Sequence, residues 1–357
     1  MTFKSLAAGL CVGCFLFLIL GDVARGRARR GLRDRWERLP FPLSTVVELE
    51  ASTSTFYGRL KNGEADYFVS VDAFSGKTKR LGALPAIDGW IPGASALDSE
   101  QKRFFLVASQ DSQNRILIVN IETGGIIGSS RLSHPIKTFE FDRSTGKLLG
   151  LARIDGVERF VSIDPSTGQV AVQADLNPVH QSYSGVFLDS RHDKMFFIGI
   201  RQGRDAAWMV DTASESIREL SGHSIGLNEH LIQSFKESGA AEAIFTSGAQ
   251  SCTGIAGYDP RSQIGFIAHF AADFHKTELS LVQIDQDLRE KYSLQGVSDL
   301  RLWVVGGVRE SPASVRTLHA VYRILVDRLG VHFDEIMKFN TGISYNILIH
   351  NGEVRVF

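Results

Sequence analysis

The sequence has few cysteines, few prolines and almost no net charge. Its 357 residues include 3 Cys and 9 Pro, and the formal net charge is −1. Three cysteines are too few for a disulfide framework, and a near-neutral chain has no global field that would attract nucleic-acid phosphates. With 43% apolar residues the chain can bury a core, which excludes a disordered or collagen-like protein. We therefore expect a folded globular protein with no nucleic-acid partner.

Glycine and phenylalanine, in contrast, are plentiful. The chain holds 34 Gly and 23 Phe. This composition favours a turn-rich protein with much β-structure over a helical bundle. The length suits about two domains, or one large β domain.

One long uncharged run lies at the N terminus, over residues 5–21, and seven arginines follow it. The run is at the lower limit of the ~17–25 residues that span a membrane, and no convincing small-residue cleavage site follows. We therefore expect residues 1–38 to be a membrane anchor with a basic flank, with an export signal as the alternative. The arginines favour a cytoplasmic C-terminal side and an export signal favours the opposite, so the side of the membrane stays open.

A repeat with a period near 45 residues extends from 45 to 222. A turn of the form Asp-x-x-Ser/Thr-Gly, degenerate in the last copy, begins at Asp72, Asn120, Asp164 and Asp211. A second series of turns lies 22 residues ahead of the first, at Glu50, Asp98, Asp142 and Asp189. Each unit thus predicts four short strands joined by tight turns, the arrangement of an antiparallel propeller blade.

This pattern resembles the WD40-like and quinoprotein-like β-propellers, which implies an all-β, propeller-like domain of about four blades over 45–222. No Trp-Asp signature or cofactor motif accompanies it. Four blades is at the small end of the known range. Closure on four blades, recruitment of a fifth from later sequence and an open ring therefore all remain alternatives.

The repeat fades after residue 222. Residues 223–243 predict a linker with a helix, and a different pattern begins at residue 244. That pattern contains the only cysteine beyond the N-terminal run, and its candidate functional residues are Thr246, Gly248, Ser251, Cys252 and His269.

The spacing of these residues resembles the CheD chemoreceptor glutamine deamidases. The shared features are a Gly-x-x-Ser-Cys turn, a Thr 6 residues before the cysteine, an Asp-Pro pair and an Ala-His whose His lies 17 residues after the cysteine. A strand ending in a double glycine (302–307), a helix (314–330) and a closing hairpin (340–357) continue the similarity. The shorter span from His269 to Gly306 is closer to the related protein N-terminal asparagine amidohydrolases, and Gln250 stands where Gly is usual.

The resemblance implies an α+β CheD-like cysteine deamidase domain over 244–357, with Cys252, His269 and Thr246 as its catalytic residues. The residue types suit this chemistry. A thiol with its usual pKa of ~8.5 needs a partner such as His269 to act as a nucleophile at neutral pH, and a Thr246 hydroxyl can orient the imidazole. Backbone N–H groups at Ser251 would form an oxyanion hole, and Gly248 would allow a sharp bend.

These residues predict conversion of a protein glutamine or asparagine carboxamide to a carboxylate, with release of ammonia and without a cofactor. The propeller loops would recognise the protein substrate. An amine in place of water would make the same site a transglutaminase. The alternative from another functional class is a membrane-anchored propeller that binds or senses a ligand and has an inactive C-terminal domain.

Two further interpretations concern residues after 222. Residues 258–271 and 280–295 resemble the two strand pairs of a fifth blade, although Asp259 and Asp285 are 26 residues apart instead of 22. His223, His230 and His275 lack a His-x-x-x-His spacing, so no metal site is predicted.

Overall fold

The structure, a computed structural model, describes most of the chain after residue 46. The described residues are 47–50, 52–73, 76–110, 113–177, 179, 181–182, 185–236, 242–249, 251–271, 274–308, 311–339 and 345–357. The expected membrane segment at 5–21 and its basic flank lie outside them. Within these ranges, no helix combines the length and the apolar character needed to span a membrane.

Each of the four repeat units forms one antiparallel sheet. The first sheet contains β1 (Val47–Glu50), β2 (Thr55–Asn62), β3 (Ala65–Asp72) and β4 (Thr78–Ala83); the second contains β5 (Gly89–Asp98), β6 (Arg103–Gln110), β7 (Gln113–Asn120) and β8 (Ile126–Arg131). The third contains β9 (Thr138–Asp142), β10 (Lys147–Ile154), β11 (Val157–Ile163) and β12 (Val170–Asp175); the fourth contains β13 (Gln181–Ser182), β14 (Phe187–Asp189), β15 (Lys194–Arg201), β16 (Arg204–Asp211) and β17 (Ile217–Glu219). The predicted propeller-like repeat is confirmed.

Local turn chemistry explains why the units fold alike. At Asp164 the carboxylate accepts hydrogen bonds from the backbone N–H of Ser166 at 2.8 Å and of Thr167 at 3.3 Å. Gly168 completes this turn with a φ of 74°, a conformation that favours glycine. The turn therefore ends one strand and begins the next, and in the degenerate fourth copy Glu215 takes the place of the glycine with a φ of 58°.

The core of the repeat region lies between neighbouring sheets. Phe105 of the second sheet and Phe141 of the third stack with their ring centroids 5.2 Å apart, and Phe68 of the first meets Phe104 of the second at 5.0 Å. The first strand of each unit lies innermost, so that β5 runs between β1 and β9. Together these inner strands line a central cavity of about 1040 Å³.

The C-terminal residues form two further sheets and two α-helices. The strands are β18 (Gly222–Ser224), β19 (Glu229–Ser234), β20 (Ala243–Ala249), β21 (Thr253–Asp259), β22 (Ile264–Phe270), β23 (Arg301–Gly306), β24 (Ile336–Phe339), β25 (Tyr345–His350) and β26 (Glu353–Val356). The helices are α1 (Phe274–Tyr292) and α2 (Pro312–Arg323), with a π-helical turn at Ile324–Arg328 and 3₁₀ turns at Val297–Asp299 and Phe333–Glu335. The fifth sheet has the order β18-β20-β25-β26 and the sixth β19-β22-β21-β23-β24. Each contains one parallel pair, β18 with β20 and β23 with β24.

These two sheets complete a ring that the four repeat sheets leave open. Phe196 of the fourth sheet shares a buried cluster with Phe245 and Leu348 of the fifth. On the other side, Phe56 of the first sheet contacts Phe339 of the sixth at a centroid distance of 5.7 Å. All six sheets contribute residues to the wall of the central cavity. The architecture is thus mostly β and consistent with a propeller.

Two expectations for the C-terminal region are wrong. The helix predicted within 223–243 is replaced by β18 and β19, because β19 pairs with β22 from Glu229↔His269 to Ser234↔Ile264 and this pairing outweighs local helix propensity. The second strand pair of a fifth blade, predicted at 280–295, lies largely in α1. Its apolar side chains follow the helical period and are buried, as at Leu281, Ile284 and Leu288.

The other C-terminal elements occur where the sequence predicts them. The strand before the double glycine is β23, the helix expected at 314–330 is α2 with its π-helical turn, and the closing hairpin is β25 with β26. Asp259 lies at the turn between β21 and β22.

Glu48 and Glu140 are two of the three glutamates that line the central cavity. Glu48 on β1 accepts a hydrogen bond from Ser95 Oγ on β5 at 2.5 Å, and Glu140 lies on β9. Burial raises the pKa of Glu48 to about 8 from its ordinary 4.5, against the smaller opposing effect of Ser95. Burial, and then the charge of Glu48, raise the pKa of Glu140 well above its ordinary value.

This environment predicts how stability depends on pH. Between 4.5 and about 8 the folded state retains a proton on Glu48 that the unfolded state releases, so Glu48 lowers the free energy of unfolding as the pH rises through this interval. Glu48→Gln removes the group that must ionise, so it should raise the melting temperature near pH 8 and change it little near pH 4.5. The increase should be about 2–4 °C for each kcal/mol by which the free energy of unfolding rises. Thermal melts of Glu64→Gln, an exposed turn position, provide the control. Parallel melting-temperature curves for wild type and Glu48→Gln would contradict the prediction.

Candidate active site

His269 lies near the end of β22, in the interior of the sixth sheet. Its backbone pairs with Glu229 on β19 and with Gly254 on β21. The side chain is 6% exposed. It lies between the fifth and sixth sheets, because it is hydrogen-bonded to Thr246 on β20.

Thr246 determines which imidazole nitrogen carries the proton. Its Oγ1 is 2.8 Å from the carbonyl oxygen of Ile225 and 2.9 Å from His269 Nδ1. The carbonyl can only accept, so the single hydroxyl hydrogen of Thr246 is donated to Ile225. Nδ1–H of His269 therefore donates to Thr246, and Nε2 carries the lone pair. The structure thus brings together the predicted base and its predicted orienting residue.

His269 Nε2 is buried and has no hydrogen-bond partner in the described part of the chain. Burial lowers the pKa of His269 from its ordinary 6.5, so that the imidazole is neutral at pH 7. A buried nitrogen with an unused lone pair is uncommon in a purely structural site, and it is suited to accept a proton from a substrate or a nucleophile.

Cys252 lies one residue before β21, at the same end of the sheet as His269. Its thiol is free and partly exposed, with Ser251 Oγ at 3.9 Å. Cys252 lies in the bend that leads into β21, two residues before Gly254, and Gly254 pairs with His269. Diagonal neighbours of this kind lie about 7–8 Å apart or less, within reach of side-chain rotation. Cys252 Sγ and His269 Nε2 are not hydrogen-bonded in this structure.

Two glycines shape the turn around the thiol. Gly248 has a φ of 72° at an irregularity in the pairing of β20 with β25, as its predicted role in a sharp bend requires. Gly306 has a φ of 89°, and a Cβ there would lie 2.2 Å from the carbonyl oxygen of Cys252. The end of β23 therefore packs directly against the backbone of Cys252. The predicted turn residue Ser251 is exposed, and Gln250 lies outside the described residues.

Sequence reasoning missed the loop that holds the histidine. Asn228 donates its backbone N–H to the carbonyl oxygen of His269 at 2.6 Å, and its Oδ1 accepts from the backbone N–H of Ala271 at 3.0 Å. Ile225, in the same loop, accepts the Thr246 hydroxyl. The signal in the sequence was the Gly226-Leu227-Asn228 turn, where Asn228 adopts a φ of 64°. Because this region was predicted to be a linker with a helix, the turn was not recognised as part of the candidate site.

The described residues contain no cluster of three or more His, Cys, Asp or Glu side chains able to hold a metal ion. His223 lies on β18 and His230 on β19, and the side chain of His275 lies outside the described residues.

Comparisons with known proteins add information on the fold alone. No known protein-family model and no curated protein matches the sequence. A chain in a crystal structure of a nidogen/laminin complex is similar with 13% identity and a TM-score of 0.38, covering 49% of this chain and 64% of that chain. TolB from Acinetobacter baumannii is similar with 10% identity and a TM-score of 0.40, covering 61% of this chain and 52% of that one. Such weak similarity to β-propeller proteins carries no argument on function, and the fold assignment rests on the sheets themselves.

The proton assignment on His269 can be tested by NMR. Thr246→Val keeps the side-chain shape but removes both hydrogen bonds of the hydroxyl. It should change the tautomer population of His269, seen in long-range ¹H–¹⁵N spectra, and cost about 1–3 kcal/mol of stability. Thr253→Val is the matched control, because Thr253 is also buried but its Oγ1 has no partner in the described residues. An unchanged His269 spectrum in Thr246→Val would disprove the orienting role.

Proposed function

We propose that the protein is a cysteine-dependent amidohydrolase that converts a glutamine or asparagine carboxamide of a protein substrate to a carboxylate and ammonia. The observation that carries the proposal is the hydrogen bond from His269 to Thr246, which leaves a buried, neutral Nε2 at the end of the sixth sheet where Cys252 also lies. The three proposed residues come from three strands of the fifth and sixth sheets: Cys252 directly precedes β21, His269 lies near the end of β22, and Thr246 lies within β20.

The first half of the reaction forms a thioester. His269 Nε2 accepts the thiol proton of Cys252, and Sγ attacks the carbonyl carbon of the carboxamide. The tetrahedral intermediate collapses by breaking its C–N bond, and the proton held on Nε2 passes to the leaving nitrogen, which departs as ammonia. Backbone N–H groups of the Ser251-Cys252 turn would stabilise the oxyanion.

The second half hydrolyses the thioester. A water molecule loses its proton to Nε2 and attacks the acyl carbon, the C–S bond breaks, and the proton returns to sulfur. The net change is amide plus water to acid plus ammonia. The neutral state of His269 suits this role as a general base better than a permanent imidazolium–thiolate pair, because burial lowers the pKa of the ring and disfavours its charged form.

The thiol and the base must approach each other before reaction. A rotation of Cys252 at the exposed turn would bring Sγ to Nε2, and catalytic hydrogen bonds are often formed only in the complex with substrate. The partial exposure of Cys252 suits a carboxamide on the surface of another protein. The loops of the repeat sheets would recognise that protein, and residues 5–21 would hold the enzyme at a membrane or direct its export.

The activity can be measured as ammonia release from N-blocked Gln-Gly and Asn-Gly dipeptides and from unfolded protein. Cys252→Ser and His269→Ala should each lower turnover by more than about 10³-fold, because the nucleophile and base act as a unit. Cys252→Ser should melt like the wild type. His269→Ala removes a buried side chain and should melt at a lower temperature, while keeping the circular dichroism spectrum of the folded protein. Hydroxylamine would trap the thioester as a hydroxamate and reveal the transglutaminase variant of the reaction. Turnover by either variant would refute the assignment, and an inactive wild type would favour the propeller binding or sensor protein.

Alkylation of Cys252 tests the pair without a substrate. In the full-length protein, iodoacetamide labelling of the tryptic peptide 237–261 reports on Cys252 alone. At neutral pH the wild type should react at least about tenfold faster than His269→Ala. Because burial lowers the pKa of His269 from 6.5, this advantage should persist at pH 6.5 and disappear only at lower pH, where the ring is protonated. His230→Ala, on the neighbouring strand, should react like the wild type. Equal rates for wild type and His269→Ala would mean that the thiol is not activated.

A further inference from the structure

Three glutamates line the central cavity, and the proposed amidohydrolase uses none of them. Glu50 accepts a hydrogen bond from Thr53 at 2.7 Å and lies 3.9 Å from Lys102, so the two that lack a cationic partner among the described residues are Glu48 and Glu140. Glu48 and Glu140 each lie two residues before the equivalent turn residues of the first and third repeat units, Glu50 and Asp142. Both line the same cavity, on β1 and β9, and each of these strands packs beside β5. The two glutamates therefore converge on either side of β5, where Ser95 donates to Glu48 Oε1 at 2.5 Å.

Neither glutamate has a cationic partner in the described residues. Ser95 is the hydrogen-bond partner of Glu48, and Glu140 has none among these residues. Both side chains are partly exposed because they line the cavity. Arg143 and Arg191 belong to the turns at one end of the cavity, and Arg143 is bound to Glu100 at 2.9 Å. Carboxyl groups held away from bulk water are normally paired, so this pair lacks a positive charge.

The remainder of the cavity wall is rich in aromatic rings. They include Phe56, Phe139, Phe187, Trp303, Phe339 and Tyr345. Aromatic faces attract organic cations and bury apolar groups. The volume of about 1040 Å³ is at the upper end of the range of small-molecule sites, ~300–1,000 Å³.

We propose that this cavity is a binding site for a small organic ammonium ion with an apolar body. The nitrogen lies between Glu48 and Glu140, and the body packs against the aromatic wall. Burial favours the protonated carboxyls in the empty cavity, and the ammonium ion supplies the charge that lets them ionise. A metal cation fits less well, because the described residues contain no group of three or more His, Cys, Asp or Glu side chains that could hold one. The site is independent of Cys252.

Dansylcadaverine is a suitable probe, since it joins a primary ammonium group to an aromatic body whose emission increases in apolar surroundings. Titration of the full-length protein should give saturable enhancement. N-acetyl-dansylcadaverine, which has the same body without the charge, should bind at least about tenfold more weakly. Glu140→Gln and Glu48→Gln should weaken binding of the ammonium probe by a similar factor and leave binding of the acetylated probe unchanged.

Two control variants establish whether the probe binds at this pair of carboxyl groups. Glu50→Gln removes the third carboxyl group of the cavity wall, which already has Lys102 at 3.9 Å and a hydrogen bond from Thr53, and should change affinity by less than about twofold. Cys252→Ala should bind the probe like the wild type whether or not the protein is an amidohydrolase. Equal affinity for both probes, unchanged affinity in Glu140→Gln and Glu48→Gln, or no enhancement at all would each overturn the proposal.

Discussion

The structure depends on covering the two apolar faces that four propeller-like sheets leave exposed. An open arrangement of four such units has a first and a last sheet. Without further sheets, the apolar outer face of each would be exposed to water. Phe196 of the fourth sheet packs with Phe245 and Leu348 of the fifth. Phe56 of the first sheet packs against Phe339 of the sixth. The fifth and sixth sheets therefore occupy the gap as additional members of the ring. Their position encloses the central cavity and fixes the C-terminal region relative to the repeats.

The packing that closes the ring also produces the candidate active site. Thr246 belongs to the fifth sheet and His269 to the sixth, and they meet only because these sheets pack face to face. The same packing removes water from the imidazole, which lowers its pKa and keeps it neutral. Cys252 lies where the chain passes from one sheet to the other, so its thiol remains accessible. One interface thus determines the orientation, the protonation and the accessibility of the three residues.

Features set by local chemistry could be predicted from the sequence, and features set by distant pairing could not. The turns at Asp164 and its counterparts depend on side chains two to four residues away, so they revealed the repeat. The strand β19 forms because it pairs with β22, which follows it by about thirty residues or more. Its own composition is polar and is also compatible with a helix, so the local sequence did not predict the strand. Leu281, Ile284 and Leu288 are spaced as in a helix. The similarity of this segment to a repeat unit suggested strands instead, so the helix was not predicted. Cys252, His269 and Thr246 were proposed because their spacing resembles that of a known family. The placement of Glu48 and Glu140 in one cavity, in contrast, requires knowledge that their strands surround one axis.

The strand β23 links the two sites physically. Trp303 contributes to the cavity wall, and Gly306, three residues later, packs against the carbonyl of Cys252. These positions are roughly 10 Å apart along the strand. Pairing between β21 and β23 is continuous from Thr253↔Gly306 to Tyr258↔Arg301, so the strand is held along its whole length. A side chain at position 306 would therefore be accommodated only by moving Cys252 or by shifting β23 within the cavity wall. Because Gly306 adopts a positive φ and has no Cβ, β23 can pack against Cys252 and still pair along its whole length with β21. This glycine therefore fixes the position of both sites on the same strand.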